Sequence, residues 1–299
     1  MFPIIPANSV AAVSGNQEGI FGFGKATSNT DITNLVSNAG VVASDVTGVS
    51  TAKRRLAACE FGGDKGIFGF GNDGSMSGVT NLVSNTGVVA SDTAAVGTAR
   101  NLLGACSYGE DKGIFGFGKA ASNSDITNLV SNAGVVASDV SGVGSAREYI
   151  SGCEFGGDKA IFGFGWISAV TGITNLVSNA GVVASDTAAV GTARMGAPAC
   201  SYGEDKGIFG YGIDAGSSYL TTTNLVSAAG VVASDTTGAG TGRYGGAATQ
   251  YGGDKAIFGF GNDGSMSGVT NLVSNTGDVA SDTAAVGTAR NALGACSFN

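Results

Sequence analysis

The chain has 299 residues, 52 of them glycine and only three proline, with 43% hydrophobic residues, five cysteines, no histidine and a formal net charge of -8. That much apolar content with no long charged block argues for a compact, turn-rich fold and against disorder. Without histidine there is neither a Ser/His/Asp triad nor a histidine-ligated zinc. An acidic chain also lacks the basic footprint that nucleic acid or an anionic membrane attracts, and no cofactor or metal is expected.

At the N-terminus, MFPIIPANSVAAV has no basic segment and is interrupted by Pro3, Pro6, Asn8 and Ser9, so it reads neither as a secretory signal nor as a membrane span. Residues 1–15 are read as an extended docking arm, with Phe2, Pro3, Ile4 and Ile5 as its apolar contacts.

Residues 16–299 are six copies of one unit. The phrase IFGFG or a close variant starts at Ile20, Ile67, Ile114, Ile161, Ile208 and Ile257, at spacings of 47, 47, 47, 47 and 49. In the copy that contains Ile114, residues 100–108 (RNLLGACSY), 113–118 (GIFGFG), 126–131 (ITNLVS) and 135–138 (VVAS) are short runs cut by turns. They are rich in Val, Ile, Phe and small residues, which is strand chemistry. Four strands in about 47 residues make one propeller blade. The expectation is an all-β, six-bladed propeller of four-stranded antiparallel blades. The text opens on a second strand and ends on a lone first strand, residues 290–298, which is expected to close the first blade; residues 9–14 are the competing occupant of that place.

Recurring charges cancel. Six VASD aspartates (Asp45, Asp92, Asp139, Asp186, Asp235, Asp282) and five turn aspartates (Asp64, Asp111, Asp158, Asp205, Asp254) balance five turn lysines and the six bases that end the GTAR-type phrases. The VASD aspartates could form a ring of ligands or acids, but a residue needed in every copy reads better as a loop cap, pairing with a nearby Arg or backbone N–H. Asn in TNLVS reads as a backbone-satisfying group. Cys59, Cys106, Cys153, Cys200 and Cys296 share one frame position, with Thr249 in the remaining copy, and read as small buried packing residues rather than a thiol-lined metal channel. The Gly-Phe-Gly phrases are not a nucleotide loop, since no helix follows. Their glycines suit close approach and positive φ, and their Phe residues the core between units.

Outside this frame lie twelve acids and only four bases, Lys25, Arg54, Arg55 and Lys119, which accounts for the whole net charge. Variation concentrates in the loop between the second and third strands, which emerges on one face of every unit. Candidate ligand-binding residues on that face are Lys25, Asp31, Asp73, Met76, Lys119, Asp125, Trp166, Ile167, Asp214, Tyr219, Asp263 and Met266.

The phrases LAAC, GGDKGIFGFG, TNLVS, VVASD and GTAR together resemble a kelch-type blade, without its Trp in the fourth strand or its Tyr in the third. More closely, over residues 18–299, the unit resembles Gly-rich propeller repeats of structural proteins of tailed bacteriophages. The resemblance implies a non-catalytic virion protein, a tail-fibre or particle-surface propeller present in multiple copies. It would contact other virion proteins through the N-terminal arm and bind a host surface glycan or protein, without nucleic acid or membrane insertion. Two alternatives stand beside it. One is a polysaccharide-degrading enzyme using acids among Asp31, Asp73, Asp125, Asp214 and Asp263. The other is a cellular kelch-type interaction module.

Overall fold

The computed structural model describes residues 17–298; the arm residues Phe2, Pro3, Ile4 and Ile5 and the stretch 9–14 fall outside them. The described chain is all-β, without a helix, and forms six antiparallel three-stranded sheets in an arrangement consistent with the blades of a propeller. Its strands are β1 (Glu18–Gly22), β2 (Thr33–Val36), β3 (Ala57–Phe61), β4 (Lys65–Gly69), β5 (Thr80–Val83), β6 (Gly104–Tyr108), β7 (Lys112–Gly116), β8 (Thr127–Val130) and β9 (Ser151–Phe155). They continue with β10 (Lys159–Gly163), β11 (Thr174–Val177), β12 (Ala199–Tyr202), β13 (Lys206–Gly210), β14 (Thr223–Val226), β15 (Ala247–Tyr251), β16 (Lys255–Asn262), β17 (Met266–Val273) and β18 (Gly294–Phe298). Five sheets take three consecutive strands, from β3-β4-β5 to β15-β16-β17. The remaining sheet has the order β18-β1-β2, so the C-terminal strand takes the first-strand place beside β1, Cys296 opposite Ile20.

The expected fourth strand of each unit is not a strand. In the first unit, Val36 and Val42 form one isolated bridge and Thr33 and Val46 another. Between the two bridges the register slips by one residue, and Asn34 is the cause. Its side chain, fully buried, donates from Nδ2 to the Ala43 carbonyl (3.0 Å) and to Asp45 Oδ1 (2.9 Å). The carbonyl that a regular ladder would use is taken by a side chain, and the ladder stops. Asn81, Asn128, Asn175, Asn224 and Asn271 do the same in the other units. The Asn thus satisfies backbone as expected, and by doing so prevents the fourth strand.

Each middle strand is buried on both faces, as in the pattern of KGIFG in β4, because neighbouring sheets pack against both sides. Glycine makes that packing close: a Cβ on Gly22 would meet Phe68 Cζ of the next sheet at 2.7 Å. The second Phe of each phrase adopts positive φ, Phe23 at 64°, which a non-glycine residue holds only against strain of about 1 kcal/mol or more. In return its ring meets the next sheet, edge to face in five pairs, Phe23 with Phe68 at 5.1 Å, Phe70 with Phe115, Phe117 with Phe162, Tyr211 with Phe258 and Phe260 with Phe21, and tilted in the sixth, Phe164 with Phe209.

The base ending each GTAR-type phrase lies over the face of such a ring. Arg147 is fully buried, its guanidinium 4.4 Å from the Phe117 centroid, and donates to Phe164 O (3.0 Å), Ser145 O (3.2 Å) and Asn175 Oδ1 (2.6 Å). Thus one Arg ties its own sheet to the preceding one. The VASD aspartate caps the incoming loop as expected, mainly through a backbone N–H and a hydroxyl: Asp186 accepts from Ser145 N and Oγ, while Arg147 Nη1 stands 3.8 Å away. Burial alone would raise the carboxyl of Asp186, but these bonds, that of Asn175 and the charge of Arg147 hold it below the ordinary range.

All five thiols are free and buried. The sulfurs of Cys59, Cys153 and Cys296 lie against Gly113, Gly207 and Gly66 of the following sheets, where a Cβ would have no room. They fill slots between sheets, and burial pushes the Cys59 thiol up to about 12.

Candidate functional site

Just before each first strand stands a residue at positive φ: Arg55 (57°), Leu102 (55°), Tyr149 (56°), Gly196 (61°), Gly245 (63°) and Ala292 (54°). Their backbones bond in sequence. Leu102 N donates to Arg55 O, Tyr149 to Leu102, Gly196 to Tyr149, Gly245 to Gly196, Ala292 to Gly245, and Arg55 back to Ala292, at 2.6–3.1 Å. These residues frame a cavity of about 330 Å³, the mouth of a passage between the first strands.

Four residues that are not glycine hold this left-handed conformation at the mouth, so side chains are projected there against a backbone cost. One side is filled by Arg55, Leu102 and Tyr149, while Gly196 and Gly245 leave the opposite side open. Arg54 and Lys25 add charge, and Asn262, Asn291, Tyr244 and Met266 complete the wall. Tyr244 stacks on Tyr219 (6.0 Å between centroids, 16° between planes). Its hydroxyl is pushed up by burial and then by Tyr149 and Tyr219, and is pulled down by Arg55, which places all four in one electrostatic neighbourhood.

Deeper in, the passage narrows to about 80 Å³ among alanines and glycines. A further space of about 50 Å³ is lined by the residue following each Cys position: Glu60, Ser107, Glu154, Ser201, Gln250 and Ser297. Burial, followed by the charges of Glu60, Asp158 and Glu110, pushes Glu154 up to about 8. Between pH 4.5 and 8 the folded chain therefore holds more protons than the unfolded one, and stability falls as pH rises through that window. Glu154→Gln, which copies Gln250 in its equivalent position, is expected to stabilise the protein at pH 8 by about 1–3 kcal/mol and to flatten the pH 5 to 8 slope of denaturant midpoints. An unchanged slope counts against this assignment.

Of the residues expected from the loops, Lys25 and Met266 line the mouth and Tyr219 backs it through Tyr244. Asp31, Asp73, Met76, Lys119, Asp125, Trp166, Ile167, Asp214 and Asp263 lie in the surrounding loops and are not brought into it. Asp73, Asp214 and Asp263 accept from Ser75 N, Ser218 N and Ser265 N in their own turns. Asp31 and Asp125 pack against Gly48 and Gly142, and Lys119 stands 3.6 Å from Glu148. The loops are tied in pairs: Asn29 donates to Asn72 O, Asn123 to Trp166 O and Ile167 O, and Tyr219 to Asn262. Arg54, Arg55, Tyr149 and Tyr244 were not among the expected site residues. Their signal was present in Arg54 and Arg55, two of the four bases that the repeat frame does not balance. No family model matches the chain and no curated protein matches it.

Proposed function

We propose that the protein is a non-catalytic binding propeller of a tailed-phage particle, whose loop face and recessed mouth engage a host surface glycan while the N-terminal arm contacts another virion protein. In this reading the six sheets form a closed ring of blades, with the bridged fourth segments as blade edges and β18 as the closing strand. The cycle of backbone bonds from Arg55 round to Ala292 supports closure. The single observation that carries the binding reading is the mouth itself, a preformed cavity of about 330 Å³ at the centre of the variable face, within the range of small-ligand sites. The phage assignment draws on the resemblance of the repeat.

A polysaccharide-cleaving enzyme needs two acids across one bond. The loop acids Asp73, Asp214 and Asp263 are exposed or half-buried, spent in separate turns and not among the residues that line the mouth, which favours binding without cleavage. The test pairs two measurements. Purified protein is expected to retain surface polysaccharide without releasing reducing ends, and an antibody to it is expected to label the surface of phage particles. Released reducing sugar overturns the non-catalytic reading, and unlabelled particles overturn the virion assignment.

A further inference from the structure

The four bases outside the repeat frame are not scattered. Lys119 pairs with Glu148, whereas Lys25, Arg54 and Arg55 all line the mouth, in a chain whose net charge is -8. None of the ion pairs formed among the described residues includes these three. Arg55 holds a conformation that glycine holds at the same position in two other units, so its side chain is kept at the mouth in spite of its backbone.

Beside these cations the wall carries aromatic rings and amides: Tyr149, Tyr244, which is backed by Tyr219, Asn262 and Asn291. A planar cation pair beside aromatic faces and amides matches a ligand with three parts: an anionic group for the guanidinium fork, an apolar ring face for the tyrosines, and hydroxyls for the amides. A volume of about 330 Å³ lies at the small end of the ligand-site range, the size for one or two sugar rings and too small for a dinucleotide.

We propose that the mouth binds a sugar ring bearing a carboxylate, with Arg54, Arg55 and Lys25 on the acid and the tyrosines against the ring. This rests on the reading of the protein as a glycan-binding propeller and names the class of glycan: an acidic one, of the uronic acid type. Binding leaves every covalent bond in place.

The test is calorimetric or saturation-transfer titration of the full chain with D-glucuronate, D-glucose and inorganic phosphate. Saturable glucuronate binding is expected, with glucose weaker by about tenfold or more, the scale set by losing a charge-assisted bond pair. Arg54→Gln should weaken glucuronate by a similar factor. Arg55→Gly should do so with a melting temperature equal to or above that of the parent, because glycine relieves the positive φ, and this separates loss of a contact from loss of the fold. Equal binding of glucose, phosphate binding as tight as glucuronate, or unchanged binding in both variants overturns the proposal. If glucuronate fails while surface polysaccharide is still retained, the attachment reading stands and only the acidic-sugar assignment falls.

Discussion

Arg147→Met is expected to lower stability by about 3–5 kcal/mol, the usual cost of removing one member of a buried polar network and leaving its partners behind. Met has nearly the right length and no donor. Phe164 O, Ser145 O and Asn175 Oδ1 each lose a bond, and the face of Phe117 loses its cation. Phe117 is also at positive φ and packs against Phe162, so the loss reaches the contact between two sheets. The protein contains its own control, because the second unit carries Lys53 where the others carry Arg. Lys53 Nζ reaches Asn81 Oδ1 at 2.6 Å and Val79 O at 3.3 Å, and lies 5.0 Å from the Phe23 centroid. Arg147→Lys should therefore cost only about 1–2 kcal/mol, and the reverse change, Lys53→Arg, should stabilise by up to about 1 kcal/mol. Chemical denaturation of the three variants checks the order. If Met and Lys at position 147 behave alike, the network is not what holds the sheets together.

The network also marks where sequence reasoning stops. Spacing of IFGFG fixed the number of units, and the strand text placed β6, β7 and β8 within a few residues of their observed bounds, because short Val, Ile and Phe runs between turns have few alternatives. What spacing does not reveal is where a polar side chain points. Arg147 and Asp186 balance in charge and stand as an ion pair at 3.8 Å, but in the fold the hydrogen bonds of the acid go to a loop N–H and hydroxyl and those of the base to carbonyls and an amide, with an aromatic ring against its face. Asn34 illustrates the same limit. Its role as a backbone partner was legible, but its choice of the Ala43 carbonyl, which ends the ladder and turns an expected strand into two bridges, depends on register that only the folded sheet sets. For the site, loop variation pointed to the face on which the mouth opens, through Lys25, Tyr219 and Met266. It passed over Arg54 and Arg55 because they lie at the start of a conserved-looking strand text rather than in a loop.

Removing residues 290–299 is expected to abolish the cooperative fold. These residues contain β18, and with it Leu293, Cys296 and Phe298, all buried in the packing around Ile20, Phe21, Phe23 and Phe68. Burial of the two larger side chains is worth about 1.5–3 kcal/mol each. The deletion also strips the five-residue pairing with β1, the bonds from Arg290 to Phe23 O and Asn34 Oδ1, and both bonds of Ala292 in the cycle at the mouth. Each stranded buried partner adds about 1–3 kcal/mol, so the total reaches the whole stability of an ordinary domain, about 5–15 kcal/mol. A bare β1 edge with Ile20 and Phe21 uncovered would then recruit another chain. The shortened protein should therefore run as oligomer or aggregate with no sharp melting transition. A synthetic peptide of residues 290–299, which restores Arg290 as donor to Phe23 O and Asn34 Oδ1 as well as the strand, should return the monomer and its transition in proportion to peptide added. A truncated monomer that melts like the parent would mean that the sheet of β1 and β2 stands without β18, and that the last strand does not close the molecule.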